Sequence, residues 1–412
     1  MSPIVYAIPV FLLSVLVEAL IVSSKRKGAY DLADALGSLN FGVMSQLAGA
    51  GTKLLSFGIY VAVYHFARLA TWPEASIVVG IAALVFYDFC YYWAHRMGHE
   101  VAVLWAAHVV HHSSEYFNLS TALRQTSTGA LFGWIFYMPM AVLGVSPTLF
   151  LIVGLIDLLY QYWVHTELIG RLGWLDRVLV TPSNHRVHHG QNDYCLDRNY
   201  GGILILWDRL FGTFVDERGD EPILYGVRTP LCAFNPIWGN LHVYTELWRE
   251  SGRAKGIRNK LAVWLGPPGG GGKAPAQWDR SAFTRYRAKS SNGVRAYVVG
   301  QYVIGNLALV AFMIQAANLT GVEALAWGVL IALSLLTQGA LLEGAAWARP
   351  AETARLILVG VALAVAPRVM GSAVAAPWRV TLILVAGLSL ICLWRLRSPP
   401  PTTTLETVRL AP

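Results

Sequence analysis

The chain has 412 residues, of which 55% are hydrophobic and only 14% are charged, and its formal net charge at pH 7 is +8. An average soluble protein carries roughly 25% charged residues, so this composition excludes an ordinary soluble domain and predicts an integral membrane protein. The basic excess forms no lysine-rich tail, and we interpret it as anchoring of membrane segments rather than nucleic-acid binding. The four cysteines contain no C-x-x-C pair, which argues against a disulfide framework, a cysteine zinc site and an iron–sulfur cluster.

Apolar stretches of about 20 residues, the length that crosses a bilayer as a helix, recur along the chain. In chain order they cover residues 3–23, 41–66, 75–94, 129–145, 147–165, 296–316, 321–343, 354–372 and 376–395. The sequence therefore predicts an all-α polytopic membrane protein with about nine transmembrane helices. The first stretch lacks the basic leader and small-residue cleavage site of a signal peptide, so we expect it to stay as an anchor.

The spacing of these stretches divides the chain into four parts. We expect N-terminal anchor helices over 1–74, a histidine-rich domain over 75–265, a linker over 266–295 and a C-terminal transmembrane helical domain over 296–412. The linker begins with GPPGGGGKAP, which is typical of a flexible connection.

The distribution of basic residues predicts the orientation of the chain in the membrane. The stretch SSKRKGAY follows the first helix, and basic loops favour the cytoplasmic side. Counting the predicted helices onward then places 95–128 and 166–295 on the cytoplasmic side. Ten of the eleven histidines lie on or at the edge of that face, and His65 is the exception. We therefore predict a histidine-rich cap that holds two metals on the cytoplasmic face.

Three short motifs, HRMGH, HVVHH and NHRVHH, concentrate most of these histidines. Positions i, i+3 and i+4 of a helix share one face, so each motif is predicted to aim its imidazoles in one direction. Eight imidazoles exceed the ligand number of one metal and suit two. His165, at the end of the fifth apolar stretch, is a further candidate ligand. For His242 the sequence supports a role as a metal ligand and a position on the surface equally well. The candidate metal ligands are His95, His99, His108, His111, His112, His165, His185, His188, His189 and His242.

The ligand type limits the choice of metal. Neutral imidazole suits iron, zinc, copper or nickel, whereas a closed structural zinc site takes four ligands, commonly including cysteine. Asp88 and Asp157 lie inside apolar stretches, on the helical faces that carry His95 and His165. Acids in apolar segments usually have partners, so we predict that these two carboxylates hydrogen-bond the second ring nitrogens of metal-binding histidines.

The three motifs on a polytopic chain resemble the fatty acid hydroxylase/sterol desaturase superfamily. The segments HVVHHSSEYFNLSTALRQ, QYWVHTELIG and TPSNHRVHHGQNDYCLDRNYGGILILWDRLFGTF are similar to its alkylglycerol monooxygenase family, and the similarity spans about residues 85–245. The resemblance implies that 75–265 is a fatty acid hydroxylase-like catalytic domain with a non-haem di-iron centre held by the motif histidines and His165. It also implies a catalytic role for Glu115, which matches a functional glutamate of the family. A helix cap or a surface acid is the alternative for this residue.

The resemblance further implies an O2-dependent di-iron lipid monooxygenase that hydroxylates the ether-linked alkyl chain of glyceryl ether lipids. The products would be a fatty aldehyde and glycerol or a lyso-lipid. The expected partners are a membrane lipid, O2 and an external electron donor, tetrahydrobiopterin, with no nucleic acid. The expected location is the endoplasmic reticulum in a eukaryote or the inner membrane in a bacterium.

Two other hypotheses stay open at this point. One is a sterol, fatty acyl or aminolipid hydroxylase or desaturase that takes electrons from a ferredoxin or a cytochrome. The other is a histidine-rich metal transporter or sensor. Transporters place their ionisable residues near the middle of the bilayer, whereas these histidines are predicted at one membrane edge, which disfavours transport.

Overall fold

The computed structural model describes residues 4–25, 29–269, 280, 283–287, 290–315, 318–365, 376–396 and 404–407, and most of these are helical. The helices in chain order are α1 (Ile4–Lys25), α2 (Leu32–Ala67), α3 (Ile77–Glu100), α4 (Ala102–Ala106), α5 (Val109–His112), α6 (Leu119–Ala122), α7 (Met138–Val142), α8 (Pro147–Trp163), α9 (Pro182–His188), α10 (Leu206–Phe211), α11 (Pro236–Arg253), α12 (Ile257–Leu265), α13 (Asn292–Gln315), α14 (Gly321–Glu343), α15 (Ala348–Val365) and α16 (Ala376–Arg395). The prediction of a mostly helical membrane protein is confirmed.

The number of membrane-spanning helices differs from the prediction. Within the described residues, five helices are long and apolar enough to cross a bilayer, or six if the two arms of α2 count as one span. These five lie in α1, α3, α13, α14 and α16. The predicted count of nine is not confirmed, because three predicted segments do not form helices of that kind.

The local sequence explains why each of these three predicted segments does not form a long apolar helix. Segment 129–145 breaks into 3₁₀ turns at Gly129–Leu131 and Gly133–Tyr137 before the five-residue α7, and glycine and proline interrupt continuous helix. The helix α8 begins at Pro147 and has only 17 residues. The helix α15 carries Arg349, Glu352 and Arg355 in its first half, and residues 366–372 of the predicted span lie outside the described residues.

The packing of α3 against α8 sets up the functional region. Met140, Leu149 and Val153 pack with Tyr60 of α2 in one buried cluster. The hydroxyl of Tyr60 donates a hydrogen bond of 2.8 Å to the carbonyl of Val145, which ties α2 to the start of α8. Because α3 and α8 pack on each other, the histidine-bearing end of α3 lies close to the residues that follow α8.

The C-terminal helices α13 to α16 pack with α2 around a second, larger apolar cluster. A buried ion pair lies inside this bundle, where Arg355 donates to Glu352 over 2.6 Å. Glu352 also accepts from the hydroxyls of Tyr297 at 2.7 Å and Thr337 at 2.6 Å. A buried charge pair is tolerable when hydrogen bonds satisfy its remaining atoms, as they do here.

Two short strands, β1 (Thr284–Arg287) and β2 (Thr404–Thr407), pair antiparallel and are an exception to the all-α prediction. The strand β1 lies within the predicted linker, so part of the 266–295 segment is ordered. Residues 270–279, which contain most of its glycine-rich run, lie outside the described residues. The four-part division of the chain stays a prediction.

Gly144 allows a tight turn between α7 and α8, and its replacement by alanine tests that packing. Its φ is +96°, and an added Cβ would lie 2.1 Å from the carbonyl oxygen of Ala70. We expect Gly144→Ala to destabilise the protein by at least about 1–3 kcal/mol, the cost of a strained backbone position. The measurement is the thermal unfolding midpoint in detergent.

The matched control is Gly58→Ala in α2, where an added Cβ meets nothing within 4 Å. Alanine favours a helix interior over glycine by about 0.5–1 kcal/mol. The control should therefore unfold at the same temperature as the parent protein or slightly higher. Equal midpoints for the two variants would contradict the role of Gly144.

Candidate metal centre

The structure brings nine of the ten predicted histidine ligands together in two groups. In each group one ligand atom per residue lies within 4.8 Å of every other. We name the groups site A and site B. Site A comprises His95, His99, His108, His112 and His188, and site B comprises His111, His165, His185 and His189.

The motifs do not each serve one site, which corrects the prediction that each aims its imidazoles in one direction. In HVVHH, His108 and His112 belong to site A and His111 belongs to site B. In NHRVHH the assignment is reversed, since His185 and His189 belong to site B and His188 to site A. The two sites are therefore adjacent, and the i, i+4 pair and the i+3 residue of each motif face different groups.

Local capping fixes the helix that carries the third motif. The helix α9 begins after Thr181, with proline at its first position, and a capping box joins Thr181 to Asn184. The hydroxyl of Thr181 also donates to Asp176 over 2.5 Å. All residues of α9 are buried, so its histidines are held inside the protein.

Backbone carbonyls decide which ring nitrogen of these histidines is free. His111 Nδ1 lies 3.0 Å from the carbonyl oxygen of Arg124, and His165 Nδ1 lies 2.8 Å from that of Gln161. A carbonyl oxygen only accepts, so each Nδ1 carries the proton and each neutral Nε2 presents a lone pair. The two Nε2 atoms are nevertheless 3.2 Å apart. Two lone pairs at that distance need a cation between them, which is the arrangement of metal ligands.

Site A follows the same rule. His95 Nδ1 lies 2.8 Å from the carbonyl of Tyr200, and His188 Nδ1 lies 2.9 Å from that of Arg198. The Nε2 atoms of His99 and His188 are buried and have no hydrogen-bond partner among the described residues. Buried polar nitrogens normally find partners, so these atoms also fit a bound metal ion.

The carbonyl of Tyr200 is positioned by two buried acids. Asp208 accepts from the N–H groups of Tyr200 and Gly201, both at 2.7 Å. Asp88 accepts from the N–H groups of Ile203 at 2.7 Å and Leu204 at 3.0 Å. The segment 200–204 is therefore held at both ends, which orients the carbonyl that contacts His95.

The two acids predicted to bond histidines directly do otherwise. Asp88 accepts from the backbone of 203–204 and from the indole of Trp207 at 2.9 Å, so it acts on His95 through the segment that bears Tyr200. Asp157 Oδ2 accepts from the Gln161 side chain at 2.6 Å, while its Oδ1 has no partner among the described residues. An added Cβ at Gly202 would lie 2.8 Å from both Asp157 Oδ1 and Asp88 Oδ1, so only glycine fits there. Carbonyls take the imidazole hydrogen bonds instead, because these rings lie against the chain's own backbone.

Arg186 is a buried residue of the site region whose role the sequence left open. Its guanidinium donates to both oxygens of Glu217, at 2.9 and 2.8 Å, and to the carbonyls of Thr166 at 3.0 Å and Ile169 at 2.7 Å. It therefore ties α9 to the residues directly after His165. A bidentate arginine–carboxylate pair is rigid, so it fixes the relative position of two site B ligands. No sequence pattern pairs Arg186 with Glu217, which is 31 residues away.

Glu115 is buried and lies outside both histidine groups. Its Oε2 accepts a 2.6 Å hydrogen bond from the backbone N–H of Tyr286 in β1. Burial raises the pKa of this carboxyl to about 7, and the neighbouring Arg285 and Arg124 partly oppose that shift. The catalytic role stays a prediction, and the contact that the structure provides is to the β1–β2 ribbon.

His242 also lies outside both groups. Its Nδ1 lies 2.8 Å from the carbonyl oxygen of Gly239, within α11, and its ring centroid is 6.1 Å from that of Trp238. The structure therefore does not bring His242 to the other nine histidines.

Burial lowers the pKa of clustered imidazoles such as His111, His185 and His189 and so favours their neutral, metal-binding form. Removal from water lowers the pKa of His111 to about 4. The same effect, together with the repulsion between neighbouring rings, lowers the pKa of His185 and His189 well below the usual value. Neutral imidazole is the form that coordinates metals.

A cavity of about 520 Å³ reaches both sites. Histidines line it on one side, two from site A (His95 and His108) and two from site B (His111 and His165). Away from the histidines its wall is largely apolar and comes chiefly from α1, α2, α3, α8, α13 and the segment 122–137. Apolar residues of this wall include Phe11, Leu12, Leu39, Val43, Leu158 and Leu309. A cavity of this size with a largely apolar wall suits an apolar ligand.

Comparisons with known proteins agree with this geometry. The family model described as fatty acid hydroxylase matches residues 80–213. Alkylglycerol monooxygenase of Danio rerio is 37% identical over 366 residues, covering 86% of this chain and 80% of that protein. The Homo sapiens protein of the same name is 37% identical over 357 residues, covering 84% and 80%. Ornithine lipid hydroxylase OlsE of Rhizobium tropici is 35% identical over 151 residues, covering 35% and 43%. No solved structure matches.

The raised pKa of Glu115 predicts a pH-dependent contribution to stability. In the unfolded chain this carboxyl titrates near its ordinary value of 4.5, whereas in the folded protein it titrates at about 7. The folded state therefore holds the proton more tightly, and the contribution is present below pH 4.5 and lost as the pH rises through 7. Glu115→Gln cannot ionise, so its unfolding midpoint should fall less than that of the parent between pH 5 and pH 8.

Glu250→Gln, at an exposed acid of α11, is the control and should follow the parent protein at every pH. Identical pH profiles for Glu115→Gln and the parent would contradict the shift.

Proposed function

Since the chain belongs to the alkylglycerol monooxygenase family of the fatty acid hydroxylases and is an oxygen-dependent lipid monooxygenase of the membrane, we propose that it cleaves glyceryl ether lipids. The reaction is hydroxylation of the alkyl carbon next to the ether oxygen. The observation that carries this proposal is the apolar cavity that meets the histidines of both sites. An alkyl chain in that cavity would present one carbon to the metals.

We infer that sites A and B each hold one iron ion. Five imidazoles for site A and four for site B suit two ions better than one, and imidazole is a good ligand for iron. The bound irons would supply the redox chemistry that activates O2. His165 is included in this ligand set and His242 is not. The chain's own contribution is to hold nine imidazoles in place and to bring the substrate carbon near them.

The proposed reaction balances with two electrons and two protons. One oxygen atom of O2 enters the C–H bond beside the ether oxygen, and the other leaves as water. The resulting hemiacetal loses its alkoxy group, the hydroxyl proton moves to the departing glycerol oxygen, and a fatty aldehyde forms. The two electrons come from an external reduced pterin, tetrahydrobiopterin, as the family resemblance implies. Asp88 and Asp208 take part only by positioning the segment that orients His95.

The remaining expectations are proposals of the same kind. We place the catalytic domain at 75–265, between anchor helices over 1–74 and a C-terminal helical domain over 296–412, with 266–295 as the connection. The basic stretch after the first helix supports a cytoplasmic catalytic face. Glu115 is proposed to act near the site through its link to β1.

The assay that tests the function follows fatty aldehyde release by the purified protein from 1-O-hexadecylglycerol in air. Aldehyde should form when tetrahydrobiopterin is present and not when it is omitted or when O2 is removed. Turnover that needs a reduced ferredoxin instead would overturn the pterin proposal. Hydroxylation of an ornithine lipid or a sterol with no turnover of the ether lipid would move the protein to another lipid class. Metal uptake into vesicles without O2 consumption would indicate transport.

The assignment of one iron to each site predicts how the iron content per chain changes when a ligand of one site is removed. The anaerobically purified protein should contain close to two irons per chain. His188→Ala in site A and His185→Ala in site B should each lower the content to about one or below, because each removes a ligand from one group only. Metal analysis by mass spectrometry measures this, and both variants should lose aldehyde formation.

His242→Ala is the matched control, because His242 lies outside both groups. Its iron content should equal that of the parent protein. A parent protein with one iron or none after anaerobic purification would overturn the two-metal assignment.

A further inference from the structure

The helices α11 and α12 form a hairpin, which we call the α11–α12 hairpin. Both helices pack on α4, and α11 also contacts α2 and α14. Leu247 is buried there beside Ala102 and Ala106, with Val243, Tyr244 and Trp264 around them. This packing fixes the hairpin beside the histidine region, since α4 lies between the first and second histidine motifs.

The outward side of the hairpin is apolar as well. Trp238, Leu241 and Trp248 lie on one side of α11 and expose 43%, 45% and 74% of their surface. Ile257, Leu261 and Leu265 recur every four residues along α12 and expose 73%, 51% and 62%. Exposed apolar surface of this extent is uncommon on a protein face that contacts only water.

Basic side chains accompany these apolar residues. The hairpin carries five exposed basic residues against two acidic ones, Glu246 and Glu250. The basic residues are Arg249, Arg253, Lys255, Arg258 and Lys260. None of the five forms an ion pair within the part of the chain that the structure describes. A row of aromatic and aliphatic residues beside lysine and arginine matches the headgroup region of a bilayer, where apolar groups insert and basic groups meet lipid phosphates.

We propose that the α11–α12 hairpin lies in the membrane interface and binds anionic phospholipids. Its apolar row inserts at the boundary between headgroups and acyl chains, and its five basic residues contact the anionic headgroups. The hairpin thereby adds an interfacial contact to those of the spanning helices and holds the metal sites at the level of the membrane surface. The proposal concerns the membrane contact alone and does not depend on which lipid is oxidised.

The test measures the environment of single spin labels in the full-length protein. The exposed cysteines are first removed by Cys232→Ser and Cys392→Ser, and labels are attached after Trp248→Cys, Leu261→Cys or Glu246→Cys. The protein is placed in nanodiscs of phosphatidylcholine with or without phosphatidylglycerol. With the anionic lipid, labels at 248 and 261 should relax more with O2 than with a water-soluble nickel complex. The label at 246, on the same helix, should show the reverse.

Replacing the five basic residues by glutamine should shift the labels at 248 and 261 toward water, and so should omitting phosphatidylglycerol from the unsubstituted protein. Arg177→Gln with Arg218→Gln, two exposed arginines elsewhere, should leave both labels unchanged. Labels at 248 and 261 that meet the nickel complex as readily as the label at 246 would overturn the proposal and favour a soluble partner. If the labels at 248 and 261 are shielded from the nickel complex equally with and without phosphatidylglycerol, the assignment of an anionic lipid is overturned.

Discussion

The structure depends on a hydrogen bond from imidazole Nδ1 to a backbone carbonyl, repeated in both sites. His95, His111, His165 and His188 each make it. Because a carbonyl only accepts, it forces the proton onto Nδ1 and leaves Nε2 with a lone pair. Lone pairs that converge within about 3 Å repel one another unless a cation lies between them. The arrangement therefore stores an electrostatic cost that a bound metal removes.

Buried acids and a buried ion pair hold segments of the chain next to these histidines. Asp88 and Asp208 fix the segment that bears Tyr200, and Arg186 with Glu217 joins α9 to the residues after His165. The contact of Asp88 with Ile203 joins residues 115 apart in sequence, and that of Arg186 with Glu217 joins residues 31 apart. The packing of α3 on α8 provides the frame, and the cavity between the helices leads from that frame to the histidines. The cavity and the two histidine groups thus share the same helices.

Motif spacing identifies eight of the nine histidines that converge, because H-x-x-x-H and H-x-x-H-H are local helical patterns, and the ninth, His165, is indicated only by its place at the end of the fifth apolar stretch. Motif spacing did not predict that each H-x-x-H-H motif divides between two sites, since that depends on how α5 and α9 face each other. Asp88 stands out in the sequence as an acid in an apolar stretch, yet its partners are backbone N–H groups 115 and 116 residues away and the indole of Trp207. The nine predicted spans rested on hydropathy, which does not register the turns at 129–137 or the short α8.

The sequence by itself determined the membrane class, the helical content and the set of histidines, because composition and i, i+4 spacing are local properties. Only the tertiary structure decided which histidine joins which site, which nitrogen faces inward, and that His242 lies outside both groups. It also decided that Arg186 pairs with Glu217 and that Glu115 accepts a hydrogen bond from the backbone of β1. These features depend on contacts between residues distant in the chain, and no local pattern specifies where such residues meet.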